Sequence, residues 1–149
     1  AISLAADGAV ERNRVFPRAW LGDSYDLSFS GLKTAARRIV GQARADAGLP
    51  ADEREGGPLP AALVAELAWG FQDSVVDVLA TKTLRAAEAV GARGIVIGGG
   101  VAANTALRDA IAGRAAARGI GMVIPRPGLC TDNGAMIGAA RAWRFAAGG

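Results

Sequence analysis

The sequence predicts an α/β fold, and three observations carry that prediction. Two short apolar runs, at residues 95–97 and 122–124, are each followed by a glycine-containing loop and an amphipathic stretch, which is typical of repeated β-α units. Before them, apolar residues recur at helical spacing between residues 63 and 90 and predict one long helix. Because strand–helix–strand connections are right-handed and parallel, both loops should emerge at one edge of a sheet, where α/β proteins bind ligands.

The first part of the chain predicts an irregular segment, a short strand and a helix. Arginines, Pro17 and Gly22 interrupt any period over residues 1–25, so irregular backbone is expected there. Residues 26–29 alternate polar and apolar side chains and predict a half-buried strand. After a turn at Ser30, one apolar helical face follows: Leu32, Ala35, Ala36, Ile39, Val40 and Ala43.

A glycine- and proline-rich loop should separate that helix from the long one. Residues 48–59 contain nothing that builds a core and predict a flexible surface loop. Pro60 suits the first turn of the long helix, which should run for about thirty residues, and Gly91 suits its C-terminal cap. Gly70 costs this helix roughly 1 kcal/mol relative to alanine, so either packing demands a small residue there or the helix bends.

Two β-α units complete the chain. The runs at 95–97 and 122–124 are predicted to be buried strands, and the prolines at 125 and 127 end the second. The helices that follow are marked by Leu107, Ile111 and Ala115, and by Met136, Ile137 and Ala140.

Composition excludes several classes of function. The chain of 149 residues has no histidine, which removes the zinc-protease H-E-x-x-H helix and the Ser-His-Asp triad. Cys130 is the only cysteine, so no intrachain disulfide forms and a reducing, cytoplasmic compartment is expected. No apolar run reaches the roughly 18 residues of a membrane span. The net charge of +3 is compatible with a nucleic-acid partner.

The glycine loop Gly98-Gly99-Gly100, with Asn104 beyond it, is a candidate nucleotide site. Glycines let the backbone approach a ligand, and the following helix N-terminus favours phosphate. Asn104 suits the N-cap or a hydrogen bond to a ligand. The alternative is a tight packing turn with a capping asparagine. The loop also fits G-x-G-x-x-A, in which Arg126 would suit the 2′-phosphate of NADP.

Asp132, at the second strand-to-helix loop, is a candidate metal ligand. As an N-cap it would satisfy helix N–H groups, a role that Thr131 could also fill. As a ligand it offers the hard oxygen that a divalent cation takes beside a phosphate. It lies one full helix–strand repeat beyond Asn104, which favours a shared site. Cys130 has no histidine to activate it and is expected to be a small, semi-buried residue.

A third turn, residues 28–34, places Lys33 near a helix start. Lys33 could reach a phosphate or an RNA backbone, or it could be a solvated side chain. Periodicity does not decide between these alternatives.

Several strings together resemble one protein family. They are FSGLKTA (29–35), FQDSVVDVL (71–79), GGVAAN (99–104) and PRP (125–127) followed by CTDNGAMI (130–137). In this order and spacing they are similar to the C-terminal half of the tRNA N6-adenosine threonylcarbamoyltransferases (TsaD), formerly called O-sialoglycoprotein endopeptidases or glycoproteases. The resemblance covers essentially the whole chain.

The resemblance implies an actin/Hsp70-like (ribonuclease H-like) ATPase fold with the active site between two lobes. It implies transfer of a threonylcarbamoyl group from threonylcarbamoyl-adenylate to N6 of the adenosine next to the tRNA anticodon. Asn104 then matches the asparagine that binds the adenylate, Gly98 to Gly100 lie against the nucleotide, and Asp132 matches a ligand of one divalent metal, iron, with zinc or magnesium as alternatives. Further candidates from the same strings are Ser30, Lys33, Thr131 and Asn133.

The chain lacks two parts of the family pattern. The family's metal site also uses an H-x-x-x-H motif of the N-terminal lobe, and neither that motif nor the opening strands are present. The chain is therefore expected to be a C-terminal lobe, residues 1–149, inactive alone and able to dimerise through an exposed sheet edge. The implied partners are tRNA, a paralogous subunit and a P-loop ATPase, without a membrane. The alternatives are a small-molecule carbamoyltransferase, a metallo-glycoprotease and a non-catalytic paralogue.

Overall fold

The computed structural model describes residues 2–50, 53–125 and 134–148. They form a helix-rich α/β structure with a small parallel sheet. Its elements in chain order are α1 (Ile2–Ala6), α2 (Ser30–Asp46), α3 (Glu53–Gly56), α4 (Ala61–Ala89), β1 (Gly94–Val96), a 3-10 helix (Gly100–Ala103), α5 (Thr105–Ala116), β2 (Gly121–Val123) and α6 (Gly134–Ala146). The chain divides into two compact units, Ala1–Thr83 and Leu84–Gly149. No helix among the described residues is long and apolar enough to cross a membrane.

The core of the first unit lies between α2 and α4. Phe16, Leu32, Ala43 and Leu67 are buried together, and the rings of Phe16 and Phe71 pack edge to face with centroids 5.9 Å apart. The predicted apolar face of α2 therefore does line a core, since Ala36, Ile39 and Val40 also pack against this cluster.

The long helix is confirmed as α4, with 29 residues. Pro60 directly precedes the first residue of α4, and the carbonyl of Pro60 accepts the N–H of Val64 at 3.0 Å. After its end Gly91 adopts φ +62°, and the N–H of Ala92 bonds the carbonyl of Ala87 at 2.8 Å. Gly91 is therefore the predicted C-terminal cap, because a left-handed residue here lets the chain satisfy the last carbonyls.

Packing explains Gly70. A Cβ at this position would collide with the carbonyl oxygen of Arg14 and stand 3.0 Å from the Phe16 ring. The helix continues without interruption through Gly70. The irregular segment 14–26 therefore crosses α4 in backbone contact, and only glycine allows that approach.

Polar side chains of α4 hold segment 14–26 along the helix. Ser74, fully buried, donates its hydroxyl to the carbonyl of Pro17 at 2.6 Å. Lys82, 3% exposed, donates its Nζ to the carbonyls of Ser24 and Asp26, both at 2.7 Å. The buried ammonium thus replaces water with two backbone acceptors, as a buried charge requires.

Arg18 adds an ion-pair network to the same contact. Its guanidinium lies 2.5 Å from the Asp73 carboxylate and 3.3 Å from that of Asp77. Partial burial acts to lower the pKa of Arg18, but the hydrogen bonds and charges of Asp77 and Asp73 outweigh it and raise that pKa. Arg18 therefore carries its positive charge at neutral pH.

Arg44 is a second buried cation of the first unit. It is 4% exposed and donates to the carbonyl of Pro50 at 2.7 Å and to that of Gly57 at 3.0 Å. It thereby binds both sides of the segment that was predicted as a flexible loop, residues 48–59. Within that segment the structure has one helical turn, α3, and residues 51–52 lie outside the described part.

The second unit contains the predicted parallel strands. Ile95 pairs with Met122 in a two-stranded sheet. Leu107, Ile111 and Ala115 are the buried residues of α5, as the periodicity predicts. Arg118 lies just after α5, and its guanidinium Nε is 2.5 Å from the carboxylate Oε1 of Glu88, near the end of α4.

Several expectations are wrong. Residues 26–29 are not a strand, because no described strand lies beside them and their backbone instead continues towards α2. Residues 1–25 are not wholly irregular, since α1 occupies 2–6. The strands are not fully buried: Val96 is 70% and Val123 is 59% exposed, because the two-stranded sheet leaves one face open. The helix α6 is present but has no buried residue in the described structure.

Candidate functional site

The glycine loop follows β1 and opens towards solvent. A Cβ built on Gly98, Gly99 or Gly100 would meet no atom within 4 Å in the described structure. Only Gly99, with φ +82°, needs glycine for its backbone conformation. Packing within the described residues therefore does not explain glycine at 98 and 100, and the loop presents unobstructed backbone.

A single 3-10 turn connects this loop to α5. The N–H of Ala102 bonds the carbonyl of Gly99 at 3.0 Å, and the N–H of Asn104 bonds that of Val101 at 3.0 Å. Arg108, one turn into α5, donates its Nε to the carbonyl of fully buried Ala102. Arg108 therefore holds the turn from the side, a role that its position in the sequence did not suggest.

Asn104 is the N-cap of α5, as predicted. Its Oδ1 accepts the N–H of Leu107 at 2.9 Å, and its backbone is extended, with φ −74° and ψ 115°. The oxygen of the amide thereby caps the helix. The amide nitrogen takes no part in this cap, and it is the donor atom through which the proposed adenylate role would act.

The residues predicted to complete the site on the metal side are outside the described structure. These are Asp132, Thr131 and Asn133. Cys130, expected to be a small semi-buried residue, and Arg126, which the NADP alternative would use, also lie outside the described residues. The structure therefore does not place Asp132 relative to Asn104. Among the residues that are described, no three carboxylate or thiol side chains come together as a metal-binding group.

Ser30 and Lys33 lie in the first unit, at the start of α2. Ser30 is its first residue, and its carbonyl accepts the hydroxyl of Thr34 at 3.4 Å. Phe29 occupies the N-cap and makes no side-chain capping bond. The Lys33 side chain is exposed, while its N–H bonds the carbonyl of Phe29 at 3.0 Å.

The sequence analysis did not identify Lys82, which holds the chain in place just before α2. Lys82 bonds the carbonyls of Ser24 and Asp26, which directly precede the segment leading into α2. The available signal was a lysine in the middle of a helix whose neighbours at i−4, i−3 and i+4, Val78, Leu79 and Ala86, are apolar. A charge placed among buried positions indicates a buried partner.

A comparison with protein families gives a match to most of the chain. The profile described as "TsaD: tRNA N6-adenosine threonylcarbamoyltransferase" matches residues 1–139. The match reaches into both compact units and includes every candidate site residue named above.

Proposed function

Because the chain belongs to the tRNA N6-adenosine threonylcarbamoyltransferase family, we propose that it forms part of an enzyme that moves a threonylcarbamoyl group from threonylcarbamoyl-adenylate to N6 of the adenosine next to the tRNA anticodon. The family match over residues 1–139 is the observation that carries this proposal. The match itself places the chain in a family of transferases that modify tRNA.

The chemistry of the transfer defines what the chain must supply. The adenosine N6 attacks the carbamoyl carbon, a new C–N bond forms, the C–O bond to the adenylate phosphate breaks, and N6 loses a proton. AMP leaves with its negative phosphate. A site for this reaction needs donors around that phosphate, because charge develops there as the bond breaks.

The glycine loop and Asn104 are proposed to meet that need. The open backbone of Gly98, Gly99 and Gly100 admits a phosphate, and the N-terminus of α5 carries a partial positive charge with no acidic residue in its first turn. The amide nitrogen of Asn104 adds a donor at the same helix end. The loop thus binds and orients the adenylate, and the incoming base is provided by tRNA.

The remaining features are proposals on the basis of family membership. The fold is proposed to be a lobe of the actin/Hsp70-like architecture. Asp132 is proposed to ligate one divalent metal, iron, zinc or magnesium, which would supply a positive charge near the adenylate. Since this chain has no histidine, imidazole ligands must come from outside it. The activity is proposed to take place in the cytoplasm, and a paralogous subunit and a P-loop ATPase are proposed as further partners.

Substitutions of Asn104 distinguish a role in adenylate binding from a purely structural role as a helix cap. In the full-length enzyme, Asn104→Ser keeps a capping oxygen and should leave the free energy of unfolding within about 0.5 kcal/mol, while Asn104→Ala should lower it by about 1 kcal/mol. Both changes remove the amide nitrogen. Both are therefore expected to lower kcat/KM for tRNA threonylcarbamoylation about 10- to 100-fold, the loss of one hydrogen bond to a charged group.

The assay uses the adenylate, unmodified tRNA and mass spectrometry of the nucleosides. Full activity of Asn104→Ser would show that Asn104 only caps the helix. Transfer to a small molecule but never to tRNA by the unaltered enzyme would contradict the proposed substrate and favour the small-molecule alternative.

Metal binding gives a second test. The 149-residue chain by itself is expected to bind divalent iron, zinc or magnesium weakly, because one proposed carboxylate without imidazoles does not make a closed site. Isothermal titration calorimetry measures this directly. Micromolar affinity that persists in Asp132→Ala would mean that other side chains of the chain form the site.

A further inference from the structure

One helix of the first unit, α2, carries four cations, and its only acidic residue is Asp46 at its C-terminal end. From residue 27 to residue 45 there is no Asp or Glu, and α2 occupies most of this stretch. Lys33, Arg37 and Arg38 lie on its solvent side. We call these three residues the basic face of α2.

The orientation of the basic face is fixed by the core. Leu32 and Ala43 of α2 are buried, and Ile39 and Val40 pack against the same cluster. At 100° per residue these apolar positions occupy one side of the helix, Arg37 and Arg38 lie on the other side, and Lys33 lies on the exposed flank beside Val40. The basic face cannot turn inward without exposing the core.

Four other arginines of the first unit are already engaged. Arg14 lies 3.5 Å from Glu66, Arg18 pairs with two aspartates, and Arg44 is buried against carbonyls. Arg12 lies over the Trp69 ring at 5.9 Å. By contrast, no ion pair or hydrogen bond from the basic face to another described side chain is seen. These charges therefore remain available to a partner.

The spacing of the basic face fits a phosphate chain. Lys33 and Arg37 are four residues apart, which puts their Cβ atoms about 5–6 Å from each other on the helix surface. Ser30, Thr34 and Gly41 lie on the arc between the cations and are small. The N-terminus of α2, which has no side-chain cap, extends the positive potential at the Ser30 end.

We propose that the basic face of α2, formed by Lys33, Arg37 and Arg38, binds the phosphate backbone of tRNA. This proposal rests on the proposed function, since tRNA is the polyanion that the enzyme would modify. The contacts position the substrate and do not read its sequence, because phosphates carry no sequence information.

Salt-dependent binding by the full-length protein tests the proposal. Binding of unmodified tRNA is measured at several salt concentrations for Lys33→Ala, Arg37→Ala, Arg38→Ala and the triple variant. Each single change should weaken binding roughly fivefold, as a unit charge near a phosphate in water would. Each should also lower the slope of log affinity against log salt by about 0.7–0.9, so the triple variant loses about 2–3. Alanine is a strong helix former, so α2 is retained.

Arg12→Ala is the matched control, an exposed cation of the same unit that is engaged with Trp69. It should leave the salt slope unchanged. An equal loss in Arg12→Ala, or no loss in the triple variant, would overturn the proposal.

A kinetic readout separates tRNA binding from a role at the adenylate. The basic-face variants are expected to raise KM for tRNA while KM for the adenylate stays unchanged. A raised KM for the adenylate, or loss of a protein partner with tRNA affinity unchanged, would overturn the proposal while leaving the proposed function intact. If the unaltered protein neither binds nor modifies tRNA, the proposed function itself fails, and this proposal fails with it.

Discussion

Gly70→Ala is expected to destabilise the first unit by about 2 kcal/mol, although alanine is the better helix former. The new methyl group would collide with the Arg14 carbonyl and crowd the Phe16 ring. Overpacking of a tight contact costs about 3 kcal/mol. The gain in helix propensity returns about 1 kcal/mol of that. Urea unfolding followed by circular dichroism measures the difference.

Gly41→Ala is the control for Gly70→Ala. Gly41 also lies inside a helix of the first unit, but a Cβ there would meet no atom within 4 Å. It should stabilise the protein by about 1 kcal/mol through helix propensity alone. If both variants shifted stability in the same direction, the backbone contact between segment 14–26 and α4 would be wrong.

Lys82→Met is expected to lower the free energy of unfolding by about 2 kcal/mol. The change keeps most of the side-chain volume but leaves the carbonyls of Ser24 and Asp26 without their donor. Hydrogen bonds to a charged group contribute about 1.5–3 kcal/mol each. Removing the buried ammonium offsets part of that loss, because the cost of desolvating it disappears.

The chain provides its own control, because Lys33 is its only other lysine. Lys33 is exposed, and Lys33→Met should change stability by no more than about 0.5 kcal/mol. Amine acylation followed by mass spectrometry gives an independent measurement on the unaltered protein. Lys33 should react at once and Lys82 only when the segment 14–26 leaves α4. Equal rates would contradict the burial of Lys82.

The sequence by itself determined the longer helices, α2, α4, α5 and α6, and the β-α order of this protein. The apolar periodicity of α2, α4 and α5, the cap at Gly91 and the N-cap at Asn104 are all local features. Their physical causes act within one or two helical turns, so the residues that decide them are neighbours in the chain. The family strings likewise identified the chain without any structure, since they are read in order along it.

Strand pairing and burial could not be predicted in the same way. The alternation at residues 26–29 has the period of a strand, but a strand exists only where a partner lies beside it. The runs at 95–97 and 122–124 are as apolar as buried strands, yet Val96 and Val123 are exposed. Exposure depends on what covers the sheet, which apolar patterns do not specify.

The tertiary structure alone decided why Gly70, Ser74 and Lys82 occupy their places on α4. Each of the three contacts a backbone group of segment 14–26. That segment comes before α2 in the chain, far from α4 in sequence. Local periodicity predicts that this helix has a buried face. The identity of the residues on that face follows from the backbone that crosses it, which only folding brings there.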